Sequence, residues 1–595
     1  MKKYFTIIVL VVLASSCKKS FLDRYPQTII APQLYFNTES DLSLYINGLL
    51  DQPGSSIYVN GDEQSTDDYA TTGNVNMKNL MSGNISAQNT PNNWGWGRLR
   101  TINYFLDNYA KANLPDAVKN HYAGLARYYR AKFYLDKVKN YSDVPWYSHA
   151  VSPSDSAMLY KTSDPRTVVV DSIFKDLDFA VANVMEKVPA GTPGLWAVKA
   201  MYARMALFEG TYRKYHPELN LQATAPRFLQ LAQQQASDIM ASGKFSLTAK
   251  YADLFNSDDL SSNKEVILNT AYDASKKVSS SGNFGILDYE QSPSRDLVQT
   301  YLMKDGTRFT DNPNYQQLQF VDEFKNRDPR LYATYMYPGL VVIPATIPYV
   351  QKLSNNFTGY HQLKGFDNNS TDGTVISSVD VAAIRYAEVL LTYAEASAEL
   401  GTINQADVDK TIGLLRTRAG MPALNMVAAN GNPDPVLMAK FPDVAGPNQG
   451  LILEIRREKR VEFALEGRRY DDLLRWHAGT TGFAPYAQGL YFPGLGQYDL
   501  TGDGVPDIIL IGAAASIPDD KSKIKNTLGQ TLIYYKVGAF GDQNVTLYLQ
   551  NGENGGATVT GTGTRTFMEP KYYYLPIPVL ETTQNPKLKQ PFGWQ

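Results

Sequence analysis

The chain has 595 residues, of which 43% are hydrophobic and 19% are charged, and its formal net charge is −2. This composition is typical of a soluble globular protein with a large core, and a near-neutral chain gives no reason to expect a nucleic-acid partner. A single cysteine excludes intrachain disulfides, and five widely spaced histidines argue against a His-rich metal centre.

The N-terminus has the parts of a secretory signal. Lys2 and Lys3 precede an apolar run at residues 4–13, and small residues then lead into Cys17. The run is about half of the roughly 20 residues that a helix needs to cross a bilayer, so a permanent span is disfavoured. We expect residues 1–16 to be a lipoprotein signal peptide and Cys17 to be acylated, although Leu13 lies one position further from the cysteine than is usual. The alternative is an ordinary signal peptide with an incidental cysteine.

Helical spacing of apolar and small residues recurs at residues 121–141, 192–215, 384–401 and 404–422. Small faces allow helices to pack closely, and helices of these lengths with a terminal proline look like tetratricopeptide (TPR) units. The residues predicted to line the buried faces are Tyr122, Ala126, Tyr129 and Phe133; Ala197, Ala200, Ala203 and Leu207; and Ile384, Leu391, Ala394 and Ala398.

The segment at residues 451–476 is predicted to be a helix with an acidic stripe, because its glutamates recur every four residues and therefore repel one another. They are Glu454, Glu458, Glu462 and Glu466. Arginines of neighbouring helices would relieve this repulsion, and we expect Arg385, Arg416 or Arg418 among the partners. The other reading takes two of the glutamates as the acid and nucleophile of a glycosidase. Structural ion pairing is favoured, since charges spaced along a helix are more often a scaffold than a site.

Motifs from the anchor to the last residues together identify a family. They are FLDRYP, KNYSDVPWY, YADLFNSDDLSSNKEVIL, PSRDLVQTYLMKDG, NRDPRLYATYMYPG, RYAEVLLTYAEA, LRTRAGMP, RREKRVEFALEGRRYDDLLRW and YYYLPIPVLETTQNPKLKQPFGW. In this order they resemble the SusD/RagB family of outer-membrane nutrient-binding lipoproteins of Bacteroidetes.

The resemblance implies a mostly α fold, in which TPR-like helix pairs pack as a SusD-like α/α superhelix against a loop-rich part with a few short β-hairpins. It implies one domain at 17–595, with an N-terminal helical part at 18–270 that carries binding loops and a C-terminal RagB/SusD part at 271–595. It further implies a lipid-anchored, surface-exposed protein of the outer membrane that captures oligosaccharide or polysaccharide for a SusC-like TonB-dependent transporter, without catalysis and without a required cofactor. Lys18 and Lys19 stand where many surface-exposed relatives have acidic residues, so surface display depends on the family assignment.

Glycan recognition needs flat aromatic rings against sugar C–H faces and polar groups around them. Long loops in a folded domain are usually functional surfaces. In this chain, long loops rich in Gly, Asn and Ser contain both aromatic rings and polar side chains. The candidate ligand-binding residues are Asp67, Asp68, Tyr69, Trp94, Trp96 and Tyr289. For the tryptophans and Tyr289 the alternative is ordinary packing in the core.

The stretch YDLTGDGVPDII suggests a calcium loop. Oxygen ligands alternate along it, and a glycine permits the sharp turn that calcium loops need. The predicted ligands are Asp499, Thr501, Asp503, Val505 through its carbonyl, and Asp507. Leu510 stands where an EF-hand has its closing glutamate, so a full EF-hand is excluded, and the alternative is a metal-free Asp/Gly turn.

Two further functions compete with glycan capture. One is a surface glycoside hydrolase, and the other is a TPR-like adaptor that binds peptide or protein. The identity of the sugar cannot be read from the sequence, because loops whose geometry is not encoded locally decide it.

Overall fold

The computed structural model describes a mostly helical chain over residues 35–51, 54, 61–71, 75–91, 93–276, 278, 286, 292–354, 356–368, 378–563 and 565–595. The signal peptide, Cys17 and Tyr289 lie outside the described residues. No described helix is both long and apolar enough to cross a membrane.

The helices are numbered here in chain order. In the first half they are α1 Glu39–Asn47, α2 Asn76–Met81, α3 Gly97–Asn108, α4 Asp116–Tyr141, α5 Ser156–Leu159, α6 Arg166–Asn183, α7 Leu195–Tyr215 and α8 Ala225–Ala241. In the second half they are α9 Arg295–Thr300, α10 Phe320–Glu323, α11 Arg330–Thr334, α12 Tyr386–Leu400, α13 Gln405–Asp409, α14 Ile412–Ala419, α15 Met426–Gly431, α16 Pro435–Lys440, α17 Gln449–Glu462, α18 Arg469–Arg475 and α19 Val579–Gln584.

The long helices of the first half form antiparallel pairs. Helix α4 packs on α6, and α7 packs on α8, which in turn packs on α12. The approach is close where a glycine lies between the helices: a Cβ on Gly210 of α7 would lie 2.9 Å from the side chain of Leu229 of α8. The small face predicted for α7 is confirmed, because Ala197, Ala203 and Leu207 are all buried.

Two predicted helices are divided in the structure. Residues 404–422 form α13 and α14, and α14 ends at Gly420 with φ 68°. The prediction of one helix at residues 451–476 is also wrong, since α17 ends at Glu462 and α18 starts at Arg469. Left-handed backbone at Leu465 and Gly467 makes the break. A third boundary differs as well, because Ile384 is buried in a strand and not in α12.

The acidic stripe of α17 is held by arginines from neighbouring elements, as predicted. Arg416 Nε lies 3.0 Å from Glu458, and Arg418 Nη2 lies 2.5 Å from Glu462. Arg385 contacts both Glu462, at 3.0 Å, and Glu466, at 2.8 Å. The side chains of all of these residues are at most 6% exposed. They are therefore paired structural charges, which is the interpretation that the sequence favoured over a catalytic pair.

The strands are short: β1 Tyr69–Ala70, β2 Val266–Thr270, β3 Ser292–Pro293, β4 Val381–Arg385, β5 Gln488–Phe492, β6 Gly496–Tyr498, β7 Ile508–Gly512, β8 Ile533–Gly538, β9 Leu547–Tyr548 and β10 Gly556–Val559. Three of the six described pairings join distant parts of the chain: β1 with β3, β2 with β4 and β5 with β10. Among the described strands only β6 and β7 are sequence neighbours that pair antiparallel, because β7–β8 and β8–β9 are parallel. Besides the main core between the long helices, a smaller hydrophobic cluster contains residues of β5, β7 and β8 together with Val461 of α17.

Candidate functional site

The three residues predicted at the first binding loop lie in the interior. Asp68 is 1% exposed and Tyr69 is 5% exposed. Arg460 Nε donates to Asp68 Oδ1 at 2.8 Å, and the Tyr69 hydroxyl donates to Gln362 at 2.6 Å. Both side chains therefore have protein partners, and neither faces a cavity large enough for a sugar ring.

Asp67 is the member of this loop that reaches a large cavity. Arg469 donates two hydrogen bonds of 2.8 Å to its carboxylate, and Lys440 Nζ lies 2.5 Å from Oδ2. Burial raises the pKa of Asp67, but Arg460, Arg469 and Lys440 more than offset this and hold the pKa well below its ordinary value. The carboxylate is thus a fixed charge in the wall of the cavity.

This cavity, which we call the tyrosine groove, has a volume of about 570 Å³. Three half-buried tyrosines line it: Tyr315, Tyr486 and Tyr491. Six amide side chains surround the rings: Gln299, Gln316, Gln317, Gln488, Gln550 and Asn551. A second cavity of about 710 Å³ shares Tyr486 and Gln488 with the groove and continues it past exposed Phe540. By volume, the two adjoining cavities have room for more than one sugar ring.

The fold fixes the floor of the tyrosine groove through Arg295 at the start of α9. This guanidinium is buried and donates to the carbonyls of Gln316 and Leu318 at 2.9 and 3.1 Å. Its carbon Cζ lies 5.9 Å from the ring centroid of Tyr491, which β5 places above it. One arginine therefore positions both the loop of Tyr315 and the ring of Tyr491.

Tyr486 is held from the other side of the groove. The guanidinium of Arg565 lies 4.5 Å from the ring centroid and donates to the carbonyls of Phe483 and Ala484, each at 3.0 Å. The backbone of Gly561 lies against the same ring, where a Cβ atom would overlap it. Cation–π contact and a glycine that allows close approach thus fix the orientation of the ring.

The predicted tryptophans lie in a different cavity, which we call the tryptophan cavity, of about 530 Å³. Trp94 is 3% exposed and packs edge-to-face on Tyr141 at 4.8 Å. Trp96 is half-buried and lines the cavity together with Tyr147, at a ring distance of 5.4 Å. The ammonium of Lys137 lies 5.0 Å from the Trp96 ring. The two predicted tryptophans and the predicted Asp67 therefore line different cavities.

Sequence reasoning missed the groove tyrosines. They come from two distant segments, at 315–317 and 486–491, and no local pattern joins them. The usable signal was composition: in both segments tyrosine stands beside glutamine, which pairs a flat ring with a neutral hydrogen-bonding group.

The predicted calcium loop connects β6 with β7. Its carboxylates accept backbone hydrogen bonds: Asp499 from Gly502 and Gly504, and Asp507 from Leu500 at 2.7 Å. The Thr501 hydroxyl lies 3.4 Å from both Asp499 and Asp507. Asp503 accepts from Val505 N and does not share these contacts. The loop brings three of the five predicted ligands together, and calcium binding there stays a prediction.

Comparison with known proteins identifies the family. The model of the SusD family matches residues 264–594, more than half of the chain. The chain belongs to the SusD family. A SusD-like protein of Formosa agariphila is 24% identical over 527 residues, which cover 82% of this chain and 93% of that protein.

Solved structures of other SusD-like proteins share the fold. One is a SusD-like carbohydrate-binding protein of Bacteroides fragilis, with a TM-score of 0.64, 21% identity, and coverage of 93% of this chain and 99% of that one. Another is a laminarin-binding SusD-like protein, with a TM-score of 0.53, 15% identity, and coverage of 94% and 100%. The mostly α, TPR-like fold expected of a SusD-family chain is thereby confirmed.

Proposed function

We propose that this SusD-family protein binds an oligosaccharide in the tyrosine groove and is not an enzyme. The observation that carries the proposal is the composition of the groove, in which three tyrosine rings face a space surrounded by six neutral amides. Sugar rings need flat apolar contacts, and their hydroxyls need hydrogen-bond donors and acceptors around those contacts, which amide side chains supply in one group. The carbohydrate-binding and laminarin-binding relatives of the same fold support this choice of ligand class.

The charges of the groove favour a neutral ligand. Lys440 bridges Asp67 and Asp296, and Arg460 Nη2 lies 2.7 Å from Asp296. A charged ligand would have to displace one of these partners, whereas a glycan hydroxyl can join them by hydrogen bonds. The same pairing argues against a peptide carboxylate as the main ligand.

The tryptophan cavity is the second candidate, because half-buried Trp96 and Tyr147 also offer rings beside polar Arg100 and Asn103. Single alanine variants separate the two. After a glycan array has identified a ligand, Tyr486→Ala and Tyr491→Ala should each weaken its binding at least about tenfold, or about 1.4 kcal/mol, by titration calorimetry. Trp96→Ala should leave binding unchanged. The reverse pattern would move the site to the tryptophan cavity, and cleavage of the glycan would favour a hydrolase.

We further propose that acylated Cys17 holds the protein on the outer membrane, exposed at the cell surface, and that the bound sugar passes to a SusC-like TonB-dependent transporter. The signal sequence and the family assignment support this role. Replacement of Cys17 by alanine should release the protein from membranes, and persistent attachment would contradict the anchor. Co-purification of the transporter with the wild-type protein tests the partnership independently of the sugar.

A further inference from the structure

Two of the five histidines of the chain meet, although 261 positions separate them in the sequence. His216 follows α7 and is fully buried, and His477 follows α18. Their ring centroids are 4.9 Å apart and their planes stand at 84°. With Glu218 they form the only group of three His, Cys, Asp or Glu side chains, among the residues that the structure describes, whose ligand atoms all lie within 4.8 Å of one another.

Hydrogen bonding leaves one nitrogen of His216 facing the carboxylate. Nε2 lies 2.7 Å from the carbonyl oxygen of Leu474, which can only accept, so Nε2 carries the proton in the neutral ring. The lone pair of Nδ1 then points at Glu218 Oε1, which is 2.8 Å away. Two acceptors at this distance need a positive centre between them, either a proton or a metal ion.

A proton shared by His216 and Glu218 would need no third group, whereas a metal ion needs further ligands. His477 can supply one. Its Nδ1 lies 3.0 Å from Asp443, and its Nε2 lies 3.8 Å from Glu569. A carboxylate on one nitrogen of a histidine is the usual outer-shell partner that orients the other nitrogen toward a metal. The residue has φ 56°, in the left-handed region that histidine and asparagine adopt more readily than most other non-glycine residues.

We propose that His216 Nδ1, His477 Nε2 and Glu218 form a binding site for a divalent transition-metal ion of the Zn²⁺ type. Imidazole and carboxylate are ligands that zinc takes, and three protein ligands leave one position for water or for Glu569. The Tyr574 hydroxyl donates to Glu218 at 3.0 Å and completes the outer shell. The side chains of Glu218 and His477 are 11% and 15% exposed, so the ion can reach the site from solvent.

The position of this site suggests a structural role. It joins the end of α7 to the end of α18, directly before the π-helix Gly479–Phe483. That turn places Thr481 in the wall of the tyrosine groove and Thr480 in the wall of the adjoining cavity that continues the groove. A bound ion would therefore fix the base of the segment that leads to Tyr486.

The test is Zn²⁺ titration calorimetry of the full chain after treatment with chelator and dialysis. The wild-type protein should bind one Zn²⁺. His477→Asn keeps a donor for Asp443 and suits the left-handed backbone, but it removes the ligand nitrogen, so it should weaken binding by roughly tenfold or more. Glu218→Gln, which still accepts from Tyr574, should do the same.

His149→Asn is the matched control, because His149 also pairs with an aspartate, at 2.6 Å, but its side chain is 80% exposed and it lies outside the site. Its Zn²⁺ affinity should equal that of the wild type. The proposal is overturned if the wild-type protein binds no Zn²⁺, or if His477→Asn and Glu218→Gln bind it as tightly as His149→Asn does. Glycan binding is not part of this readout, so the two proposals can fail separately.

Discussion

The tyrosine groove and the tryptophan cavity have similar volumes and both contain aromatic rings, but different forces hold them. Behind the groove lie buried ion pairs, with Asp67 between Arg469 and Lys440. The tryptophan cavity rests on edge-to-face ring contacts, with Trp94 between Trp96 and Tyr141. Half-buried rings line both cavities, but in the tryptophan cavity other rings are also the support behind them. Aromatic content alone therefore does not identify a binding surface.

The largest expected effect comes from removing a charge behind the groove. Asp67→Ala leaves the buried Arg469 without its main partner, and we expect the free energy of unfolding to fall by about 3–5 kcal/mol. Urea denaturation measures this. The matched control at the tryptophan cavity is Asp107→Ala, whose partner His149 is mostly exposed, and it should cost about 1 kcal/mol. Equal losses would mean that the two regions are not stabilised differently.

For the aromatic residues, the loss of unfolding free energy should be larger at the tryptophan cavity than at the tyrosine groove. Trp94→Ala removes a buried ring and should destabilise the protein by about 3 kcal/mol, because the surrounding rings cannot close the space. Tyr486→Ala removes a half-buried ring with one cation–π contact, and about 1 kcal/mol is expected. The same denaturation experiment compares them. A larger loss for Tyr486→Ala would contradict the assignment of the groove rings to ligand contact.

Sequence reasoning predicted the parts of this molecule that depend on local spacing. The alanine face of α7 was readable because close helix packing needs small residues at one periodic position. The arginine partners of α17 could be predicted because four glutamates on one stripe need cations, and Arg385, Arg416 and Arg418 lie in the two segments that were predicted as the preceding helix pair.

What depends on long-range assembly was not readable. Asp67 and Asp68 are adjacent and identical in type, yet Asp67 reaches the groove wall, whereas Asp68 is sealed behind it against Arg460 of α17, which is 392 positions away. The groove tyrosines meet because Arg295 ties the loop of Tyr315 to β5. Widely spaced histidines argued against a metal centre, but His216 and His477 come together where α7 and α18 end. In a fold with many contacts between residues far apart in the sequence, spacing along the chain says little about distance in space.

A pH titration sharpens the comparison from the side of the tryptophan cavity. Burial lowers the pKa of Lys137, beside Trp96, from 10.5 to about 8, with Asp136 acting in the opposite direction. Between pH 8 and 10.5 the unfolded chain therefore binds more protons at this lysine than the folded protein does, so folding becomes more favourable as pH rises. Asp67 acts at acidic pH. Its pKa is lowered in the folded protein, so it stabilises the fold above the ordinary pKa of aspartate, and this stability is lost as the pH falls.

The measurement is the difference in unfolding free energy between the wild type and Lys137→Met, from pH 7 to 10.5. This difference should shift in favour of the wild type by about 1–3 kcal/mol, and other titrating groups cancel in it. A difference that stays flat across this range would show that the Lys137 ammonium is not desolvated in the folded protein.

The smallest effects concern two glycines, one at each cavity. A Cβ atom on Gly561 would overlap the ring of Tyr486, whereas a Cβ atom on Gly95, between the two tryptophans, would meet nothing within 4 Å. Gly561→Ala should therefore turn Tyr486 and weaken glycan binding severalfold, at a cost in stability of about 1 kcal/mol. Gly95→Ala should change neither quantity. If both variants bind the glycan as the wild type does while Tyr486→Ala does not, the ring contributes area to the ligand but its orientation is not fixed by the backbone beneath it.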